Sequence, residues 1–291
     1  MPAGVWEFPV YLPRYAFSPR DVARAGDIWR ALQEVAVDAS SEVGWTPMRY
    51  RAEQSAFVVR RMVVLHRREI GYGDPIRACT GLSRFRRETL CTREIQLHTD
   101  RSSAEPSISL ESAASADIRC TQHWVHVSPS MRPARAPVAL RDAFPVAAEL
   151  PAATELPSPL ERLGSTDQGR TRWSFTFDTW HAWMDPLAHV NHPVYVDWCD
   201  EALSRRLAIL KVDPCLVVPL GESMTYKRGI TARQQVTVKT RLFGVGIAEE
   251  DPHCVHLEHH IYVGDDLAAH GTTIRTLKQG DLADTLADCA G

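Results

Sequence analysis

Two stretches of this chain repeat the same order of elements: an amphipathic helix followed by a run of long strands of alternating character. In the first half the helix pattern runs from Asp21 to Val43, with Ile28, Leu32, Val35 and Ala39 on one apolar stripe and Gly44 placed to stop it. In the second half it runs from His192 to Leu210, with Pro193 in the first turn and Val194, Trp198, Ala202 and Leu203 facing inward. The segment MVVLHRREIGYGDPIRACTGLSRF from Met62 lays beside MTYKRGITARQQVTVKTRLFGV from Met224, and two further alternating strands follow each. A period of about 120 residues is too long for a solenoid unit and fits a duplicated domain. The fold class is therefore α+β, a curved antiparallel sheet wrapped around one central helix, made twice.

The 291 residues suffice for two cores. The expected boundaries are an N-terminal domain over 1–143, a Pro- and Ala-rich linker over 144–170, a C-terminal domain over 171–280 and a tail over 281–291. Asp100 to Ala116, rich in Ser and Ala, reads as a long loop inside the first domain. With 33 basic against 36 acidic residues and no dense basic block, nucleic acid is a poor partner. No stretch approaches the roughly 18 apolar residues that span a bilayer, and the start Met1-Pro2-Ala3-Gly4 lacks a signal-peptide pattern, which predicts a cytoplasmic protein without membrane insertion. Seven scattered cysteines, an odd number without a C-x-x-C pair, suit reduced thiols. Cys199, the one nearest the candidate site, reads as a small buried hydrophobe.

The densest group of chemistry-bearing side chains is Asp185-Pro-Leu-Ala-His189-Val190-Asn191-His192-Pro193, between a strand read from Phe175 to Trp183 and the second helix. The first N–H groups of a helix have no internal partner and, with the helix dipole, favour developing negative charge. A carbonyl placed there is polarised as in an oxyanion hole. Asp185 can attack that carbonyl or activate a water, with His189 and Asn191 holding substrate or water. Read singly, Asp185 also suits a turn carboxylate, His189 a structural histidine and Asn191 an N-cap.

The pattern D-x-x-x-H-V-N-x-x-x-Y, ending on Tyr195 with Trp198 three residues on, resembles the active-site signature of hotdog-fold thioesterases. The duplicated layout is similar to that of acyl-ACP thioesterases, which carry two hotdog domains in one chain. The first half joins the resemblance through Gln33-Glu34 in its helix and the segment His123 to Pro137. The resemblance implies a tandem (double) hotdog that hydrolyses a fatty or polyketide acyl thioester on acyl carrier protein or coenzyme A. It implies no metal and no cofactor, since the substrate carries the phosphopantetheine. Asp185 would be the catalytic carboxylate, His189 and Asn191 its polar partners, the backbone N–H near His192 the carbonyl polariser, and Gln33 and Glu34 candidates for a polar group from the other domain. A monomer of two hotdogs satisfies the usual pairing within one chain, and a dimer of such chains is the other arrangement.

Several positions depart from the family pattern: Ala188 replaces the usual Gly before the His, His192 the second Asn, Leu187 the Asn two residues after the Asp, and Gly229 a catalytic Glu. These departures predict a simpler Asp-centred mechanism or an altered substrate. Matching Glu34 to Glu201 sets Ser18, Val22 and Arg24 opposite Asp185, His189 and Asn191, which predicts one active site per chain. His253, His256, His259 and His260 lie in an alternating strand without H-E-x-x-H, a poor metal set. Trp173, Phe175, Phe177, Trp180 and Trp183 read as packing first and as acyl-pocket lining second. Two rival functions are a hotdog hydratase or dehydratase, with Asp185 and His189 or His192 shuttling protons, and a non-catalytic acyl-binding scaffold.

Overall fold

The computed structural model describes residues 4–99, 116–147, 153–163, 172–247 and 251–287. The expected loop at Asp100 to Ala116 falls almost wholly outside the described residues, as do parts of the expected linker. The chain divides into two compact units, Met1–Glu155 and Leu156–Gly291, and the division falls within the segment read as a linker.

In the first unit the strands are β1 (Val5–Val10), β2 (Ala56–His66), β3 (Ile76–Arg86), β4 (Leu90–Thr99) and β5 (Ile118–Val127), with helices α1 (Ala25–Glu42), α2 (Pro47–Ala52) and α3 (Val138–Ala143). The sheet is antiparallel in the order β1-β3-β4-β5-β2. Helix α1 packs on β1, β3 and β4. Its stripe of Ile28, Leu32, Val35 and Ala39 is buried throughout. The helix ends where Gly44 takes φ 77°, with Gly44 N–H bonded to the Ser41 carbonyl and Trp45 N–H to the Ser40 carbonyl. That pair of bonds is the left-handed stop that only glycine makes without steric cost.

The second unit contains β6 (Glu161–Arg162), β7 (Arg172–Asp178), α4 (Val194–Ile209), β8 (Val217–Tyr226), β9 (Gln235–Ile247), β10 (Asp251–Val263), β11 (Asp266–Leu277) and α5 (Leu282–Ala287). Its sheet runs β7-β9-β10-β11-β8, again antiparallel, with β6 beside a second part of β9. The strand order is that of the first unit, element for element. Helix α4 packs on β7 and β9 and buries Val194, Trp198, Ala202 and Leu203. It stops as α1 does, but with Lys211 rather than glycine at φ 58°.

Three expectations need correction. The strand read from Phe175 to Trp183 ends at Asp178, because the Thr179 hydroxyl and N–H turn to the backbone carbonyls of Thr231 and Gln234 and the chain then enters a short 3-10 turn, His181–Trp183. The linker is not structureless, since β6 pairs with β9 inside it. Of the expected tail, 281–287 lie among the described residues and pack: Leu282 and Leu286 on α5 join the core of Leu203, Leu207, Leu242, Val255 and Leu257. Among the described residues no helix is long and apolar enough to cross a membrane.

Candidate active site

Between the 3-10 turn and α4 the chain makes a tight hairpin. Met184 and Val190 face each other as an antiparallel bridge. The Asp185 N–H donates to the His189 carbonyl at 2.8 Å, and the Ala188 N–H to the Asp185 carbonyl at 2.9 Å. Ala188 closes the turn at φ 60°, a conformation that glycine adopts freely and that costs an L residue about 1–2 kcal/mol. Here lies the physical reason for the glycine expected at this position: the turn is kept with alanine, under strain.

Asp185 holds this turn with its own side chain. Its Oδ1 accepts from the Leu187 N–H at 2.8 Å and the His189 N–H at 3.3 Å. Both bonds fall on one oxygen, so the backbone orients the carboxylate and Oδ2 takes no part in them. The turn-carboxylate and catalytic readings of Asp185 are thus compatible, one oxygen for each. The hairpin is tied to the rest of the unit by Val190 N–H to the Ile230 carbonyl at 2.7 Å and by Asn191 N–H to the Trp183 carbonyl at 2.8 Å. Asp185, His189 and Asn191 are all half-buried, and all three project from this one short segment.

The helix N-terminus differs from expectation. The Val194, Tyr195 and Val196 N–H groups donate to the carbonyls of Asn191, His192 and Pro193 at 3.0, 3.4 and 3.0 Å. These 3-10 bonds engage the first helical donors, and Pro193 has none. Of what the sequence assigned to the helix start, the dipole is left unchanged by these bonds. The His192 carbonyl accepts from the Tyr226 hydroxyl at 2.9 Å. Tyr226 was not singled out from the sequence, where a tyrosine near a strand end carries no signal of its own. Burial raises the Tyr195 and Tyr226 hydroxyls above the ordinary tyrosine range.

The aromatic residues settle mainly into packing. Trp173 donates to the Ala202 carbonyl at 2.8 Å, Phe177 meets Trp183 and Trp198 at 5.9 and 5.1 Å, and Trp183 meets Trp198 at 5.6 Å. Trp180 differs, being exposed and stacked on Trp183 at 5.1 Å. Cys199 is buried, and burial pushes its thiol well above the ordinary range, as a small core residue requires. Beneath α4 lies a buried charged group: Arg275 bonds Asp200 at 2.9 Å and Glu222 at 2.6 Å, with Arg275 1% and Glu222 0% exposed.

The histidines of β10 point to separate duties. His253 pairs with Asp281 at 2.5 Å, His256 meets the Gly246 carbonyl, and His259 lies between Thr240 and Thr273. Among the described residues no group of three or more candidate ligands converges on a metal position. On α1, Gln33 Oε1 is enclosed without a hydrogen-bond partner. Glu34 lies on an exposed part of that helix, its carboxyl raised by partial desolvation and then by Asp38 one turn on.

The first unit repeats the hairpin bond for bond. Phe17 and Ala23 form the bridge, Ser18 N–H donates to the Val22 carbonyl, Asp21 N–H to the Ser18 carbonyl, Ala23 N–H to the Ile70 carbonyl and Arg24 N–H to the Ala16 carbonyl. Asp21 is the residue at positive φ, 56°. Ser18, Val22 and Arg24 therefore stand where Asp185, His189 and Asn191 stand, as the sequence superposition sets them. The backbone is shared and the carboxylate, imidazole and amide are not.

With this geometry in hand, the comparisons with known proteins are informative. The thioesterase superfamily model matches residues 187–246, which begin inside the hairpin and end in β9. A protein of Lactobacillus plantarum assigned provisionally as an oleoyl thioesterase is 16% identical over 95% of this chain and 97% of its own, with a TM-score of 0.71. The 12:0-ACP thioesterase of Umbellularia californica is 16% identical over 94% and 98%, with a TM-score of 0.69. An acyl-ACP thioesterase of Bacteroides thetaiotaomicron is 12% identical over 94% and 97%, with a TM-score of 0.65. No curated protein sequence matches. The resemblance read from the sequence is borne out, and both halves of the chain are covered by the shared fold.

Proposed function

We propose that this chain, a thioesterase fold with the superfamily pattern in its second half, hydrolyses an acyl thioester through Asp185. The fold is read as a tandem hotdog, one for each unit, with the chemistry in the second alone. The observation that carries the proposal is the hairpin at 184–190. It orients a carboxylate through Oδ1, and the half-buried His189 and Asn191 follow in the same short segment, whereas the matching segment of the first unit holds Ser18, Val22 and Arg24.

In the reaction, Asp185 either takes a proton from a water as that water adds to the thioester carbonyl, or adds to the carbonyl itself to give an acyl anhydride that water then cleaves. Either way the C–S bond breaks, the thiolate leaves and is protonated, and a carboxylic acid is released. His189 and Asn191 hold the water or the acyl oxygen, and the dipole of α4 with the His192 N–H favours the negative charge that develops on the carbonyl. The substrate's acyl group is carried on a phosphopantetheine arm, of acyl carrier protein or of coenzyme A.

The test is thiol release from a panel of acyl-CoA and acyl-ACP thioesters, short to long and including aryl and β-keto chains. The parent protein is expected to turn over one class, and Asp185→Asn to lose about 100-fold or more in kcat, the scale set by removing a general base or nucleophile. No thiol release from any substrate, or an unimpaired Asp185→Asn, refutes the proposal.

A further inference from the structure

Gly229 lies just past β8, and its backbone has no positive φ, so its conformation alone would accept any residue. What excludes a side chain is His189. A Cβ built on Gly229 falls 2.3 Å from His189 Cδ2, 2.7 Å from Cγ and 2.8 Å from Nε2, all far inside van der Waals contact. The three nearest atoms are all in one imidazole. The neighbouring backbone has no room to retreat, since the Ile230 carbonyl accepts from Val190 at 2.7 Å and Ile230 is itself fully buried.

The first unit makes the complementary choice. Ile70 there accepts from Ala23 as Ile230 accepts from Val190, which sets Glu69 opposite Gly229 and Val22 opposite His189. Glu69 carries a full side chain, paired twice with Arg20, over a hairpin whose own residue is the smaller Val22. The full side chain thus stands past the strand in the first unit and on the hairpin in the second.

We propose that Gly229 is a positioning residue, the seat that fixes the His189 imidazole over the Asp185 turn, and that any side chain at 229 is gained only by expelling that imidazole. This rests on the reading of Asp185 and His189 as the reacting site. It implies that in this site the ring stands in the space that a side chain at residue 229 would enter.

The experiment compares the full-length parent with Gly229→Ala, His189→Ala and the double variant, using thiol release, urea unfolding and histidine-ring NMR spectra in which His189→Ala identifies the His189 signal. The added methyl should shift the His189 ring signal and lower kcat about tenfold or more with KM within about twofold, as a group displaced by an ångström does. In the His189→Ala background the same methyl should cost nothing further. The proposal is overturned by an unmoved ring signal, by an equal loss in the His189→Ala background, or by a double variant that fails to fold. Should the parent release no thiol from any substrate, the hydrolytic reading fails while the ring signal still decides the seat.

Discussion

His259 offers a measurable consequence of the second core. It is fully enclosed, with Thr240 on one ring nitrogen and Thr273 on the other, each at 2.9 Å. Burial first, then the charges of Arg275 and His260, lowers its protonation to about pH 3, whereas an unfolded histidine titrates near 6.5. Between those values the unfolded chain binds a proton that the folded chain refuses, so stability is full above about pH 6.5 and falls as pH drops toward 3. Each pH unit in that window is worth about 1.4 kcal/mol, so acidification from about pH 6.5 to about 4.5 should remove about 2.5 kcal/mol on account of this one residue. Other groups titrate in the same range, and His259→Gln isolates the effect, since its amide stands in for the ring nitrogen that meets Thr273 and does not titrate. Urea unfolding of both proteins at about pH 7 and about pH 4.5 should show the parent losing about 2 to 3 kcal/mol more than the variant. An equal loss in both would refute the neutral, enclosed imidazole.

Two further outcomes follow from buried charge and from backbone strain. Arg275→Met leaves Glu222 enclosed without its cation and should cost about 3–5 kcal/mol in urea unfolding, with Arg275→Met/Glu222→Gln recovering much of it; a single-variant cost below about 1 kcal/mol would contradict the ion-pair geometry. Ala188→Gly should relieve the positive φ of the hairpin and raise stability by up to about 1 kcal/mol, partly offset by glycine's freedom in the unfolded chain. A destabilised Ala188→Gly would show that the turn is not strained.

The helices were legible because their apolar stripes are local: Ile28 to Ala39 and Val194 to Leu203 face inward where their spacing places them. The duplication was legible for the same reason, as a repeated order of local patterns. Strand order was not. Alternation of period two marks a strand and its faces but not its partner, and the order β1-β3-β4-β5-β2 rests on pairings distant in sequence. The strand boundary at Asp178 depends on a threonine turning to a loop more than fifty residues away, and the spent donors at the start of α4 depend on where Pro193 sets the first turn. Local pattern is also silent on the close approach at Gly229, where a Cβ would fall 2.3 Å from the His189 ring.

The hairpin itself is not the mark of the site, because both units make it. Its bonds set how the chain passes from the edge strand into the central helix, and that passage is needed whether or not any chemistry occurs there. Ser18 closes it as well as Asp185 does, and Asp21 takes the strained φ as Ala188 does. A segment kept for such a reason is free to vary wherever its side chains leave the turn. The differences therefore carry the functional information: carboxylate for hydroxyl, imidazole for isopropyl, amide for guanidinium, and glycine for glutamate where the imidazole needs space. In the proposed site the first three are the reacting groups, set on a frame the fold already supplies. The fourth has no chemistry of its own and makes sense only if the imidazole is held where it is, which is why the Gly229→Ala cycle bears on the site more directly than any change to the turn.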